Sequence, residues 1–581
     1  MNTLSDEQQA IVDAPLEPMS VIACAGSGKT RTAVYRVIEM RRKLAEHRGR
    51  VALLSFSNVA VDTFRADFRA LTDGIHDVRH GRVEIDTMDG FITTSILRPH
   101  AYRTMGCDRT PFLIAGTEPF LQNKDFKFWV QPASGKAFPV QPTDLHKVVI
   151  NLQAGRPTFQ FRQHGALLPI NNGPTAAARL GAVGAYTHDL GRYWCHRVLT
   201  EQPKLLNALA RRYSHILVDE SQDIGTLHQA ILTLLASAGS QVSLIGDPHQ
   251  GIYGFAGADG RFLTSYGQTQ GVSSYGLTRN YRSVPAILTI ANSLASRTDT
   301  ADRPVPEAQH GAFFIGYKNA EQEQLVTAFR AATTAAGLQL ERSAVICRGR
   351  EQVNKLTGSD AAIGQGTVKG FASAAIHRDK RQDYMSAFKA VAGCVASLLV
   401  DPPQRLVEMI TQPARYPEVR LLRRELWCFT RNPDTGLPAA TLQADAQWHQ
   451  LLCERVKVLL QRLRDGYGLT PTTTLGNKLA KKNLPSTPLI PAADLAATQD
   501  LPVRIDTVHQ VKGESLDAVL YLAAKEHVEA LLAGVDTEVG RIGYVAVTRA
   551  RNLFWLGVPH NSLQALRPTL LSRGFREVGT P

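Results

Sequence analysis

Residues 19–42 read MSVIACAGSGKTRTAVYRVIEMRR. The apolar run Met19 to Ala23 predicts a buried strand and Cys24 to Gly28 a loop of small residues. From Thr30 onward Val34, Val37 and Ile38 recur on one face of a helix. Strand, glycine-bearing loop and helix, in that order, make a phosphate-binding loop. Through Ala25, Gly26, Ser27 and Gly28 the backbone N–H groups turn toward a pyrophosphate at a helix N-terminus, where the dipole favours negative charge. Lys29 then reaches the β- and γ-phosphates, and the Thr30 hydroxyl holds Mg²⁺. Ala23 replaces the first glycine of the general pattern, so the flanking strand and helix carry the reading. A nucleoside triphosphate site is the expectation.

A chain of 581 residues exceeds one core and, at roughly 150 residues per domain, suggests about four folding units. Hydrophobic residues at 44% and charged residues at 20% leave ample apolar side chain for those cores, with no low-complexity tract or internal repeat. A formal charge of +13 favours a polyanionic partner, because Lys and Arg meeting phosphates release condensed counterions. The N-terminus MNTLSDEQQAIVD is polar, and no run approaches the ~18 apolar residues that would cross a membrane. A soluble, cytoplasmic chain with no membrane partner is expected. Seven cysteines lie far apart without a CxxC pair, which predicts reduced thiols and neither a zinc site nor an iron–sulfur cluster.

Taken in order, Ser5 reads as the N-cap of a helix with an acidic first turn, and the Gln8 amide offers a donor and an acceptor to an adenine edge. VALLSF (51–56) reads as a second strand and Val83 to Asp86 as a third, followed by Thr87 to Phe91. Ligands collect at the carboxyl ends of parallel strands, so Phe56 and Asn58 stand where a groove would run, although a lone Phe also suits the core. From about Ile92 to Thr187 aromatic and polar residues alternate around Ser-Gly and His-Gly turns, predicting an inserted domain with β-hairpins. Parallel-sheet grammar returns with His215 to Val218, which delivers Asp219 and Glu220 to a strand end. Asp219 there suits Mg²⁺, and Glu220 suits orienting and deprotonating an attacking water. After a fourth strand, Gln241 to Gly246, Gln250 is placed to sense a γ-phosphate while Tyr253 and Phe255 offer ring faces to a base.

These segments, in this order, resemble the UvrD/Rep/PcrA-like helicases of superfamily 1. The likeness rests on Gln8, CAGSGKT (24–30), SFSNVA (55–60), TMDGF (87–91), HDL (188–190), DESQD (219–223), GDPHQGIYGF (246–255) and LTRNYRS (277–283). It continues with AVICR (344–348), TVHQVKGESLDAVL (507–520) and EVGRIGYVAVTRAR (538–551). The resemblance implies an α/β chain of two RecA-like P-loop NTPase domains, parallel sheets flanked by helices, each with an inserted subdomain. The first domain would be residues 1–91 and 188–280 with an insertion at 92–187; the second, 281–371 and 502–581 with a reduced helical insertion at 372–501. ATP and Mg²⁺ would bind between the domains, with Lys29, Thr30, Asp219, Glu220 and Gln250 on one wall. Tyr281 would stack on adenine, Gly513 would lie near the nucleotide, and Arg282 and Arg549 would reach the γ-phosphate. Single-stranded or tailed DNA would meet Phe56, Asn58, Thr87, Tyr253, Phe255, Arg348 and His509.

The chain departs from the family pattern in several places. Ala256 stands where an arginine is usual, Lys512-Gly513-Glu514-Ser515 shifts an acidic residue by one, and the first insertion is richer in strands. After Arg551 no strand-separating hairpin is legible. The expected function is an ATP-dependent single-stranded DNA translocase or helicase, 3′ to 5′ by resemblance. One alternative keeps the fold as a DNA-end-sensing NTPase beside a nuclease partner subunit in an antiphage system. The other is a non-catalytic DNA-binding scaffold, against which the intact Lys29, Asp219, Glu220, Gln250, Arg282 and Arg549 argue.

Overall fold

The computed structural model describes residues 4–45, 47–73, 80–114, 116, 118–163, 165–254, 257–306, 309–356, 363–380, 382–400, 402–403, 406–413, 416–490 and 503–579. The chain divides into two compact units, Met1–Arg348 with Asp506–Pro581, and Gly349–Ile505.

Two sheets organise the first unit. In the first, strands β1 (Met19–Ala23), β2 (Val51–Ser55), β3 (Val83–Thr87), β11 (His215–Val218), β12 (Gln241–Gly246) and β13 (Ser273–Leu277) run in the order β13-β1-β12-β11-β2-β3. All neighbours pair parallel. Every residue of β2 and of β11 is buried, as expected where helices cover both faces of a parallel sheet. The two-residue period then splits the strand between two cores. Ala52 and Leu54 join Ile216 and Val218 on one side; Val51 and Leu53 join Val21, Leu217 and Val37 on the other.

The second sheet has the order β18-β17-β19-β20-β16-β21, from β16 (Gly311–Tyr317), β17 (Ala344–Cys347), β18 (Arg504–Thr507), β19 (Leu516–Leu522), β20 (Ala550–Pro559) and β21 (Arg576–Glu577). The pair β14 (Arg279–Asn280) and β15 (Thr300–Ala301) lies between the sheets in sequence. The architecture is α/β with two parallel sheets flanked by helices, a two-domain RecA-like arrangement.

Between β3 and β11 the chain builds a separate core around Phe128, Phe159, Phe161 and Trp194. Here β5 (Trp129–Val130) pairs with β6 (Phe138–Pro139), while β7 (Val148–Gln153), β8 (Arg156–Gln163) and β9 (Ala166–Pro169) form an antiparallel meander. A short parallel pair, β4 (Phe112–Leu113) with β10 (Ala185–Tyr186), closes the segment.

The unit Gly349–Ile505 is mainly helical, around Phe371, Phe388, Trp448 and Leu460. In its helix Tyr384–Ser397, Phe388, Val391 and Val395 are buried, whereas Met385 is 41% exposed. Among the described residues all seven cysteines are free thiols, and no helix is long and apolar enough to cross a membrane.

Candidate functional site

The loop after β1 turns on two glycines with positive φ, Gly26 at 76° and Gly28 at 77°. A Cβ on Gly26 would sit 2.5 Å from Arg282 Cβ, and one on Gly28 2.8 Å from Gln8 Nε2, so glycine is required at both. Lys29 begins the Lys29–Leu44 helix and is buried. Gln8 works twice: its side chain accepts from the Ser5 N–H in a capping box, and its Nε2 donates to the Ser27 carbonyl at 3.0 Å. Each amide atom keeps one further hydrogen-bonding capacity for a base.

Asp219 and Glu220 follow β11, whose neighbours are β2 and β12. Asp219 is fixed by its N–H donating to the Leu54 carbonyl at 2.8 Å, yet both its carboxylate oxygens are buried without a hydrogen-bond partner. Burial first, then the adjacent Glu220, pushes this carboxyl up to about 7. A divalent cation is the complement that an orphaned buried carboxylate lacks, and the donor set of Asp219 with the Thr30 hydroxyl fits Mg²⁺ shared with a phosphate. Burial works to raise Glu220 as well, but Lys29, then Lys512, a Gln222 hydrogen bond and Arg549 hold it below its ordinary value. Glu220 also sits at φ 53°, a left-handed conformation that costs a non-glycine residue of order 1 kcal/mol.

Gln250 joins the two sheets. Its Nε2 donates to Asp247 at 2.9 Å, and its Oε1 accepts from Arg549 Nη2 at 2.8 Å. Arg549 ends the helix Glu538–Arg549 and is 2% exposed. From the same helix Tyr544 donates to Asp247 at 3.4 Å and Arg541 to the Gly251 carbonyl at 2.6 Å. Arg282 donates to the Thr548 carbonyl at 3.0 Å, and burial, then Arg549, pulls its guanidinium down to about 9. A buried and a half-buried guanidinium close enough for one to disfavour the other's charge are a receptor for an anion.

Tyr281 lines a cavity of about 710 Å³ with Gln8, Gly26, Gly28, Arg282, Ser515 and Arg551. The Arg279 guanidinium, paired to Asp302 at 2.7 Å, lies 5.8 Å from the Tyr281 ring. Gly513 turns the chain at φ 86° ahead of β19. Sequence reasoning passed over Asn280, which is 2% exposed. It donates to the Ala25 carbonyl at 2.6 Å and accepts from the Arg282 and Ser283 N–H groups at 2.9 and 2.8 Å. With the Tyr281 N–H on the Gly26 carbonyl at 2.9 Å, it ties the phosphate loop to Tyr281 and Arg282. Its position inside LTRNYRS was the available signal. Asn280→Ala strands three buried backbone groups, and a destabilisation of about 2–4 kcal/mol is expected, read as a lower denaturation midpoint; an unchanged midpoint would contradict this.

On the other side of the cleft, Tyr253 lies 5.8 Å from His509, and the Lys512 ammonium lies 4.6 Å over the Tyr253 ring. Lys512 also bonds both Asp223 oxygens at 2.6 Å. Phe56, after β2, meets His228 edge-on at 5.3 Å; His228 and Arg192 both bond Asp89, at 3.1 and 2.6 Å. Asn58 is exposed at the start of its helix, and the Thr87 hydroxyl is taken up as a cap, accepting from the Gly90 N–H at 2.9 Å. Arg348 is exposed at the end of β17, and Phe255 lies outside the described residues. Thus Tyr253 and His509 are brought into ring contact, while Phe56 and Asn58 follow β2 and Thr87 ends β3.

The UvrD/REP helicase N-terminal domain family matches residues 4–132 and 186–270. Similar proteins include DNA helicase II of Salmonella typhimurium, 28% identical over 308 residues, which cover 51% of this chain and 40% of that protein. UvrD2 of Mycobacterium tuberculosis is 24% identical over 307 residues, 50% of this chain and 43% of its own. The ATP-dependent DNA helicase srs2 of Schizosaccharomyces pombe is 34% identical over 114 residues, 19% of this chain and 12% of its own. The chain therefore spans less than half the length of these relatives. With the two RecA-like sheets and the motif order, the match of residues 4–132 and 186–270 to the UvrD/REP helicase N-terminal domain supports a UvrD-like superfamily 1 chain.

Proposed function

We propose that the chain is a DNA-dependent ATPase that translocates along single-stranded DNA, 3′ to 5′, and acts as a DNA helicase. The observation that carries the reading is the Gln250–Arg549 contact: a neutral amide beside the carboxylates of the first sheet is held by a guanidinium from the second. ATP seated on Lys29 would meet Arg282 and Arg549 only while the sheets are together, so cleavage of the γ-phosphate changes what holds them. Glu220, kept ionised, orients and accepts the proton of the attacking water. Thr30 and Asp219 would hold Mg²⁺, which neutralises charge on the β- and γ-oxygens. Adenine stacks on Tyr281, which Arg279 backs, and Gln8 reads its edge. Tyr253 and Phe56 offer ring faces to bases irrespective of sequence, each stack contributing about 1–3 kcal/mol.

The test compares ATP hydrolysis on closed circular single strands, linear single strands and blunt duplex, beside strand displacement on 3′- and 5′-tailed duplexes. Stimulation by circles and displacement of the 3′-tailed substrate are expected. Hydrolysis that ignores circles and responds only to ends would replace the translocase by an end sensor. DNA affinity should also fall with salt, log K dropping by about 0.7 per decade for each phosphate contacted; a flat response would remove the phosphate-tracking groove.

A further inference from the structure

Segments far apart in sequence converge on Asp89. Its Oδ1 accepts from Arg192 Nε at 2.8 Å and from His228 Nε2 at 3.1 Å, and its Oδ2 accepts from Arg192 Nη2 at 2.6 Å. Asp89 stands in the short helix Met88–Phe91 directly after β3, Arg192 in the helix His188–Glu201 that follows β10, and His228 in the helix Thr226–Ser237 beyond Asp219 and Glu220. The end of β2 joins them, because the Phe56 ring stands edge-on to the His228 imidazole, with centroids 5.3 Å apart and planes at 80°.

Burial works to raise Asp89, but the charge and hydrogen bond of Arg192, then the bond from His228, hold it well below the ordinary carboxylate value. An ionised carboxylate only accepts, so the proton of this pair sits on His228 Nε2. Burial first, then the Arg192 charge, lowers His228. The result is a neutral imidazole whose tautomer and ring plane are set by Asp89.

Phe56 is half-buried, packed at the margin of the core that holds Ala52, Leu54 and Ile216. Ser57, Asn58 and Val59 beyond it are exposed, and the Ser57 hydroxyl caps the next helix by accepting from the Ala60 N–H at 3.0 Å. The backbone is therefore pinned on both sides of Phe56, by the strand before it and the cap after it. What remains free is the rotation of the ring, and His228 stands against that.

We infer that His228 is a positioning residue for the bound single strand: gripped by Asp89, it sets the Phe56 ring in the orientation that stacks on a base. This rests on the proposed DNA-dependent function. A ring oriented before the strand arrives loses less rotational freedom on binding, so breaking the His228–Asp89 bond weakens DNA binding through Phe56.

The experiment uses the full chain and a fluorescein-labelled oligo-dT followed by anisotropy, beside ATP hydrolysis titrated with unlabelled oligo-dT and melting curves. Phe56→Ala should weaken binding about 5- to 100-fold, the loss of one stack. His228→Ala and His228→Asn, whose side chains are too short to reach Asp89, should weaken it about 3- to 10-fold, whereas His228→Gln, whose amide N–H extends as far as Nε2, should stay within about 2-fold. In the Phe56→Ala background His228→Asn should cost nothing further. The oligo-dT concentration for half-maximal hydrolysis should rise in His228→Asn while the rate at saturating strand holds. A merely structural His228 would lower the melting temperature and weaken binding equally with and without the Phe56 ring. That outcome, equal binding by the Gln and Asn variants, or normal binding by Phe56→Ala overturns the inference. Failure of the unsubstituted chain to bind oligo-dT would overturn the DNA-dependent function itself, whereas normal binding with any of those results removes only this role.

Discussion

Arg549→Ala is expected to lower ATP turnover by about 10³- to 10⁵-fold, the range in which a guanidinium delivered to a transferring phosphoryl group acts. The magnitude follows from where the charge sits. Arg549 is buried, donates to Gln250 at 2.8 Å and to the Glu514 carbonyl at 3.2 Å, and is held on the last turn of a helix that Tyr544 and Arg541 also fasten to the Asp247–Gly251 segment. It is therefore preorganised, and its field acts where water is excluded. Nucleotide affinity should change far less than turnover, because Lys29, the loop amides and Tyr281 remain. Arg549→Lys should rescue little, since an ammonium cannot bond Gln250 and a phosphate oxygen with one planar fork. Removing the guanidinium also relieves Arg282 of a like charge, so the fold should survive, as a melting curve would check. Turnover within a few fold of the unsubstituted chain, with normal melting, would end the case for a split site.

How far the sequence speaks depends on the range of the interaction. Strands whose side chains are buried on both faces announce themselves, and Met19–Ala23 and Gln241–Gly246 lie where their apolar runs and punctuation place them. The phosphate loop is legible for the same reason, being a local device of backbone turn and helix start. The hairpins Trp129–Val130 with Phe138–Pro139, and Arg156–Gln163 with Ala166–Pro169, follow from alternation around Gly turns. The strand Val148–Gln153 does not, because it opens on three consecutive apolar residues, Val148 to Ile150, and its partner is defined only once β8 folds back. Long-range polar work is the least legible. Asn280 matters because two loops meet there, and Asp247 because it receives Gln250 from its own loop and Tyr544 from the second domain. Ser5 was legible as a cap, yet that Gln8 both closes the capping box and bonds Ser27 depends on the approach of the phosphate loop.

Glu220→Gln should cut turnover by about 10²- to 10⁴-fold while nucleotide stays bound, because the amide keeps the shape and loses the proton acceptor. The structure argues for a base rather than a spectator. Glu220 is placed by a strained φ of 53° beyond a buried strand, and its carboxylate accepts from Gln222 two residues on. Its neighbour Asp219 makes no such bond and is pushed up to about 7 by burial and by Glu220, whereas Glu220 stays below its ordinary value under Lys29, Lys512 and Arg549. Two adjacent carboxylates pushed in opposite directions are expected to divide the tasks, one holding a metal and the other taking a proton. The sign is testable. A base whose pKa is depressed is lost only as pH falls through that lowered value, so Glu220 should contribute no acid limb to kcat between about pH 8 and pH 6 at saturating Mg²⁺. Glu220→Gln should lower the whole plateau, and its complex with ATP should outlast that of the unsubstituted chain in a filter-binding chase. Rapid release of unhydrolysed ATP by Glu220→Gln would place the carboxylate in binding instead of chemistry, and an unchanged turnover would move the base elsewhere.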